Sequence, residues 1–293
     1  MKKIGVVGIP GNWSSIKLLD TVAQKTGFKF FIDMEKVFFD MEIGKIRTPE
    51  IDLFTLDAII VKKLGKEYSP NFLNRLSILN YLSNRGMKIY SHPQKISQVL
   101  NRLNCTLILS QGGIPIPPTF ITENIAEGVN AVRKLKKVVL KPLFSTKARG
   151  MVVLDDSGEI KNELIEYQNK GNSLIYIQKF VQIPEKDLGI VFLGGKYLAT
   201  YARVGNKKSW NTTVFDGGKY EPYEPSKDMI EIAYKAQSLF GLDFTCVDLV
   251  ETPQGPMVFE VSAFGGFRGL LDGCGIDASE LYTNYVLGKV NND

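Results

Sequence analysis

Residues 245–262 read Thr-Cys-Val-Asp-Leu-Val-Glu-Thr-Pro-Gln-Gly-Pro-Met-Val-Phe-Glu-Val-Ser. The centre, Thr252-Pro253-Gln254-Gly255-Pro256, has the composition of a turn. Both flanks are rich in β-branched and aromatic residues, so the stretch predicts a hairpin. Asp248 and Glu260 are symmetric about Gln254, twelve residues apart. An even separation puts them on one face and opposite each other, with Val250 and Val258 paired beside them. Two opposed carboxylates repel, and a hard cation removes that cost. Mg²⁺ suits the role, because it takes one or two protein carboxylates and completes its shell with water and phosphate. The same pattern also fits a surface hairpin with two solvated acids, or a pair neutralised by a nearby arginine.

Outward from the hairpin, the N-terminal third alternates strands and helices. Residues 3–9 and 57–62 read as buried strands, and 87–90 as a third. A helix starts near Ser14 or Ser15, either of which is a good cap, and a second spans 70–84 before Arg85-Gly86. This order predicts a parallel α/β unit over 1–93. A helix over 94–111, a proline-rich segment, a short helix and strands at 138–141, 151–154 and 174–180 follow. They predict a small α+β lid over 94–181. Strands at 187–193 and 197–204, a polar loop, a helix over 226–240, the hairpin and a helix over 277–287 make the third unit, 182–293.

Composition narrows the chemistry. The 293 residues include one histidine, His92, with no zinc-type spacing around it. Zinc hydrolases and Ser-His or Cys-His catalysts need a placed imidazole, so carboxylates, lysines and arginines are the expected actors. Three scattered cysteines predict a reduced, cytoplasmic protein. A net charge of +5 without a long basic run fits an anionic small molecule better than nucleic acid. No run approaches the ~18 apolar residues of a membrane span.

Lys141 ends the buried run Val138-Val139-Leu140, and a lysine there needs an anion. The loop after it, Phe144-Ser145-Thr146-Lys147-Ala148-Arg149-Gly150, offers hydroxyls, cations and amides to phosphates, although it is not a Walker P-loop. Arg203 ends an apolar strand, and Arg268 lies in Gly265-Gly266-Phe267-Arg268-Gly269, just past the hairpin.

Taken together these parts resemble an ATP-grasp ligase, most of all the RimK-type branch of carboxylate–amine ligases. The resemblance runs along essentially the whole chain. It is carried by Val-Val-Leu-Lys141-Pro, Ile177-Gln178-Lys179-Phe180-Val181, Asp187, Arg203, Asn211, Val247-Asp248 and Phe259-Glu260-Val261-Ser262. It implies an ATP-grasp fold of mixed α/β and α+β units, with ATP and Mg²⁺ (or Mn²⁺) as cofactors. Lys141 and Arg102, the latter standing where relatives usually carry a lysine, would meet phosphates under a loop containing Ser145 and Thr146. Gln178, Lys179 and the backbone of Phe180 and Val181 would hold adenine, with Asp187 near the ribose and Asn211 further along the nucleotide site. Asp248, Glu260 and Ser262 would carry metal. Arg203 and Arg268 would act on the transferred group and substrate. The implied chemistry is attack of a carboxylate on the γ-phosphate, then of an amine on the acyl phosphate.

Some positions depart from the family pattern. Lys179 stands where an acid is common, Gly189 replaces an arginine, and Ser262 replaces an asparagine. Candidate substrate contacts are Asn12-Trp13-Ser14-Ser15, Lys62-Lys63 and Gly266-Phe267-Arg268, whose cations suit a substrate with several carboxylates, such as glutamate. The Gly-Phe-Arg-Gly segment is similar to coenzyme-pathway ligases, which makes a small-molecule coenzyme precursor the expected second substrate. The alternatives are a ligase acting on a ribosomal or carrier protein, and a nucleotide-binding protein without turnover. No nucleic-acid or membrane partner is expected, and homo-oligomer formation stays open.

Overall fold

The computed structural model describes residues 2–146, 148–183, 186–205 and 218–292. The first sheet holds β1 (Ile4–Val7), β2 (Phe30–Ile32), β5 (Ala58–Val61) and β6 (Lys88–Tyr90) in the order β2-β1-β5-β6, all parallel. Helices α1 (Trp13–Thr26) and α2 (Asn71–Asn84) connect these strands, and a hairpin of β3 (Phe38–Asp40) and β4 (Lys45–Arg47) stands beside them. The α1 cap is Asn12, two residues before the first of the expected serines. Its side chain accepts from Ser15 N–H, and Ser15 itself is buried. An Asx side chain at this position satisfies an orphan donor and leaves Ser15 free to pack.

The stretch 94–111 is two helices, not one. They are α3 (Pro93–Leu100) and α4 (Arg102–Gln111). Asn101 is extended and accepts from the Leu103 and Asn104 amides, so one asparagine stops the first helix and caps the second. His92 is structural. It caps α3 through Nδ1, and its Nε2 lies 3.0 Å from Ser83 Oγ.

The lid sheet is antiparallel, in the order β7 (Thr119–Thr122), β10 (Ile175–Lys179), β8 (Lys137–Leu140), β9 (Val152–Asp155). Helices α5 (Ile125–Leu135) and α6 (Ile160–Asn169) accompany it. The α6 helix is absent from the sequence reading, although Ile160, Leu164 and Tyr167 bury one face at helical spacing. These residues join Val132, Val138, Leu140 and Ile177 in a core that belongs to the lid alone.

The third sheet runs β13 (Lys219–Pro222), β12 (Lys196–Val204), β11 (Lys186–Leu193), β14 (Phe244–Thr252), β15 (Gly255–Ser262), all antiparallel. One face, with Leu188, Ile190, Phe192, Val247, Leu249 and Val261, enters a core shared with α7 (Lys227–Ser238), α3, α4 and the first unit. The other face looks into a cleft. Helix α8 (Phe267–Cys274), a stretch to which the sequence assigns no element, packs over β12 on that face, and α9 (Ala278–Asn292) lies against α1. Among the described residues no helix is long and apolar enough to cross a membrane.

Candidate functional site

The hairpin places Asp248 opposite Glu260, by a different route from the symmetric one. Thr252 pairs with Gly255, so the turn is only Pro253-Gln254. That tight register brings Val258 opposite Leu249, and Val250 opposite Met257, rather than Val250 opposite Val258. Phe259 is then the extra residue of a β-bulge, and the bulge restores Asp248 to Glu260. It also directs Phe259 toward Lys141, whose Nζ lies 5.1 Å from the ring centre.

Period-two alternation carries the rest of the face. Asp187 and Arg203 pair across β11 and β12. Next come Tyr201, Gly189, Asp248 and Glu260 in one transverse row, then Cys246 opposite Ser262. Above this face and beside the lid sheet lies a cleft of about 790 Å³. Its walls include Arg102, Lys141, Ser145, Thr146, Gln178, Lys179, Phe180, Val181, Asp187, Arg203, Asp248, Glu260, Ser262 and Arg268. The structure thus gathers every residue expected to serve nucleotide, metal or catalysis except Asn211, which lies outside the described residues, whereas Ser15 and Lys62 of the expected substrate contacts are buried away from the cleft.

Each opposed carboxylate has an arginine. Arg203 Nη2 is 3.0 Å from Asp248 Oδ1, and the same guanidinium grips both oxygens of Asp187. Burial works against the Arg203 charge, but Asp187 and Asp248 outweigh it and hold its pKa well above the ordinary value. Burial raises the Asp248 pKa, Arg203 opposes the rise, and Glu260 and Asp187 add to it. Arg102 sits at the first position of α4, directly after the Asn101 break. It donates to Glu260 Oε2 (3.3 Å), Ser145 Oγ (3.2 Å) and the Pro142 carbonyl (3.1 Å), which joins the lid loop to the hairpin. The paired-arginine alternative therefore describes the ligand-free pair. Two hard carboxylate donors side by side on the sheet face that lines the cleft also fit Mg²⁺, which is bound through one or two carboxylates together with substrate phosphates.

Lys141 is buried at the cleft wall, and its Nζ donates to Gln178 Oε1 at 2.5 Å. The Gln178 amide in turn donates to Thr119 and Tyr176. Gln178 is therefore engaged with the lysine: both of its amide hydrogens are taken, and its Oε1 keeps one lone pair with which to accept from adenine. The Phe180 N–H donates to the Lys137 carbonyl, so that amide is not an adenine donor either. Ser262 Oγ accepts from the Phe264 and Gly265 amides, which occupies both of its lone pairs inside its own turn. That geometry disfavours Ser262 as a metal ligand.

Burial and the neighbouring Arg102 charge push the Lys141 pKa down to about 7, against the pull of Glu260. The folded protein thus binds fewer protons at this group than the unfolded chain between about 7 and 10.5, so its effect on stability becomes more favourable as pH rises through that window. Phosphate beside Lys141 favours the ammonium form. Calorimetric titration with ADP at pH 8, in buffers of different ionisation enthalpy, is expected to show uptake approaching one proton. Lys141→Met is expected to abolish the uptake; unchanged uptake would place the titrating group elsewhere.

The substrate end needs one correction. Lys62 is neither a solvated lysine nor a substrate contact. It is 2% exposed, with Nζ donating to the Phe264 carbonyl and lying 3.6 Å from the Phe267 ring centre. Burial, then the Lys63 charge, lowers its pKa. It tethers the end of β5 to the loop after Ser262. Lys63 and Arg268 do line the cleft, and Arg268 lies 4.3 Å from the Trp13 ring centre. Two cleft residues absent from the expected set, Tyr201 and Cys246, precede Arg203 and Asp248 by two. Strand alternation alone was the signal that put them on the same face.

Known proteins match the chain along most or all of its length. The tetrahydromethanopterin:alpha-L-glutamate ligase of Methanosarcina acetivorans is 25% identical over 321 residues, covering 98% of this chain and 99% of the relative. The alpha-aminoadipate--LysW ligase LysX of Saccharolobus solfataricus is 29% identical over 235 residues, covering 78% and 85%. Among solved structures, an ATP-grasp RimK domain protein from Sphaerobacter thermophilus superposes with a TM-score of 0.76 at 17% identity, over 98% of this chain and 100% of that one. The ATP-grasp ligase PsnB, complexed with minimal precursor, Mg and ADP, gives 0.73 at 16%, over 98% and 97%. These superpositions establish the ATP-grasp fold. The RimK-like ATP-grasp domain model matches residues 99–286, and by that match the chain belongs to the RimK-like ATP-grasp family of ATP-dependent carbon–nitrogen ligases.

Proposed function

We propose that the protein joins L-glutamate to a small-molecule coenzyme precursor, with Asp248 and Glu260 as the carboxylates that hold Mg²⁺. The observation that carries this is the opposed pair itself, set between Arg102 and Arg203 and facing Lys141 across one cleft. The full-length similarity to a tetrahydromethanopterin:alpha-L-glutamate ligase supports the substrate class. Lys63 and Arg268 at the other end of the cleft suit a substrate with more than one carboxylate.

The chemistry follows from charge. A substrate carboxylate oxygen forms a bond to the γ-phosphorus while the bond from that phosphorus to the ADP oxygen breaks, and ADP leaves with the electron pair. The amine then bonds to the acyl carbon, the carbon–oxygen bond to phosphate breaks, and the amine loses a proton. Mg²⁺, when bound, offsets phosphate charge. Lys141 and Arg102 neutralise the phosphate tail, and Arg203 meets the charge that builds on the transferred group. No imidazole is required, in keeping with a single histidine that caps a helix.

A phosphate-release screen with ATP and Mg²⁺ tests the proposal, pairing glutamate and other amino acids with pterin-type and other coenzyme acids. Turnover is expected only when a carboxylate and an amine are both present, with a glutamyl mass increment on the product. Tight ATP binding without turnover on any pair would point to the nucleotide-binding alternative. Turnover only with a peptide or carrier protein would replace the small-molecule partner.

A further inference from the structure

The row Tyr201, Gly189, Asp248, Glu260 has one member without a side chain. The space above Gly189 is nonetheless filled. A Cβ built there collides with the Tyr201 ring and sits 2.5 Å from its hydroxyl oxygen. Tyr201 therefore leans along the row, over the glycine, toward β14. A Cβ at Gly269 of α8 also collides with the ring, so α8 rests directly on it. The Tyr220 ring closes a third side edge-on at 5.3 Å, and Tyr201 is only 2% exposed. A tyrosine fits this slot because residues 189 and 269 are both glycine.

The hydroxyl ends 3.4 Å from Cys246 Sγ, and Cys246 Sγ lies 3.7 Å from Asp248 Oδ1. The thiol is the donor to this carboxylate oxygen. The Tyr201 O–H is then the donor to sulfur. Arg203 approaches the same Oδ1 at 3.0 Å. Among the described residues, both contacts on Asp248 thus fall on one oxygen, which leaves Oδ2 to a cation.

We propose that Tyr201, acting through Cys246, is a positioning residue for Asp248: the relay fixes which carboxylate oxygen faces the cleft, and the ring sets the seat of α8. The inference rests on Asp248 as a metal carboxylate. It adds a row-filling tyrosine and a thiol to the site, both acting through Asp248.

The test is Mn²⁺ binding to the full-length, ADP-saturated protein, read from the free-ion electron paramagnetic resonance signal. Tyr201→Phe keeps the ring and removes only the hydroxyl. It and Cys246→Ala are each expected to weaken Mn²⁺ about tenfold, the lower end for partners one step behind a metal ligand. ADP affinity in EDTA should stay at the wild-type value. Cys246→Ser, which keeps a donor, should restore most of the Mn²⁺ affinity. If Tyr201→Phe does not fold, Cys246→Ala and Cys246→Ser decide alone. Wild-type Mn²⁺ affinity in both Tyr201→Phe and Cys246→Ala, with Asp248→Asn abolishing binding, would overturn the relay and leave the metal assignment standing. Equal weakening in Cys246→Ala and Cys246→Ser would also overturn it, because packing rather than a donor would then be at work. Wild-type binding in Asp248→Asn would remove the metal assignment and the relay together.

Discussion

Asp248→Asn and Glu260→Gln are each expected to lower turnover by roughly 100- to 1,000-fold, the range for losing one group that offsets transition-state charge. Both substitutions keep shape and remove a charge. Neither is expected to lower the thermal midpoint of the ligand-free protein. Asp248 is destabilised in its charged form by burial and by Glu260 and Asp187, so neutralising it relieves repulsion. Arg203 retains its paired bonds to Asp187 in that variant. The combination of intact or raised stability with lost turnover marks a group kept for charge rather than for folding. Near-normal turnover in both variants would remove the metal assignment.

Arg203→Ala is expected to fail differently, with a loss of about 3 kcal/mol in stability as well as turnover. The guanidinium is the shared partner of Asp187 and Asp248, and its removal leaves two part-buried carboxylates side by side with Glu260 behind them. The lower end of the range for broken buried pairs applies because these side chains retain up to 25% exposure. Denaturant unfolding of the ligand-free protein measures the loss. Arg203→Met combined with Asp187→Asn should recover most of the stability, since cation and anion leave together, but not the turnover. An unchanged unfolding midpoint in Arg203→Ala would show that the two carboxylates do not depend on it.

How much of this was legible follows from which interactions decided each feature. The buried strand at 57–62, the helix at 70–84 and the hairpin are local patterns, and local patterns survive folding. Opposition of Asp248 and Glu260 was legible, but for an incomplete reason: a two-residue turn shifts the register and Phe259 shifts it back. Composition alone does not locate a bulge. The Asn101 break was hidden because both helices carry continuous apolar spacing across it. Helix α8 was hidden by its glycines, one of which admits the Tyr201 ring and looks like loop chemistry without that ring. Lys62 was misplaced because a fully buried lysine is rare and its partner, the Phe264 carbonyl, lies 202 residues away.

The four-stranded lid sheet with α5 and α6 keeps its interior to itself, whereas α3 and α4 belong to the shared core. Val132, Val138, Leu140, Leu164, Tyr167 and Ile177 pack on one another and not on the shared core. Swinging such a unit as a rigid paddle breaks polar contacts like those of Arg102, which water replaces at little cost, and uncovers almost no oily surface. Admission of nucleotide and release of ADP can therefore proceed without any part of the molecule melting.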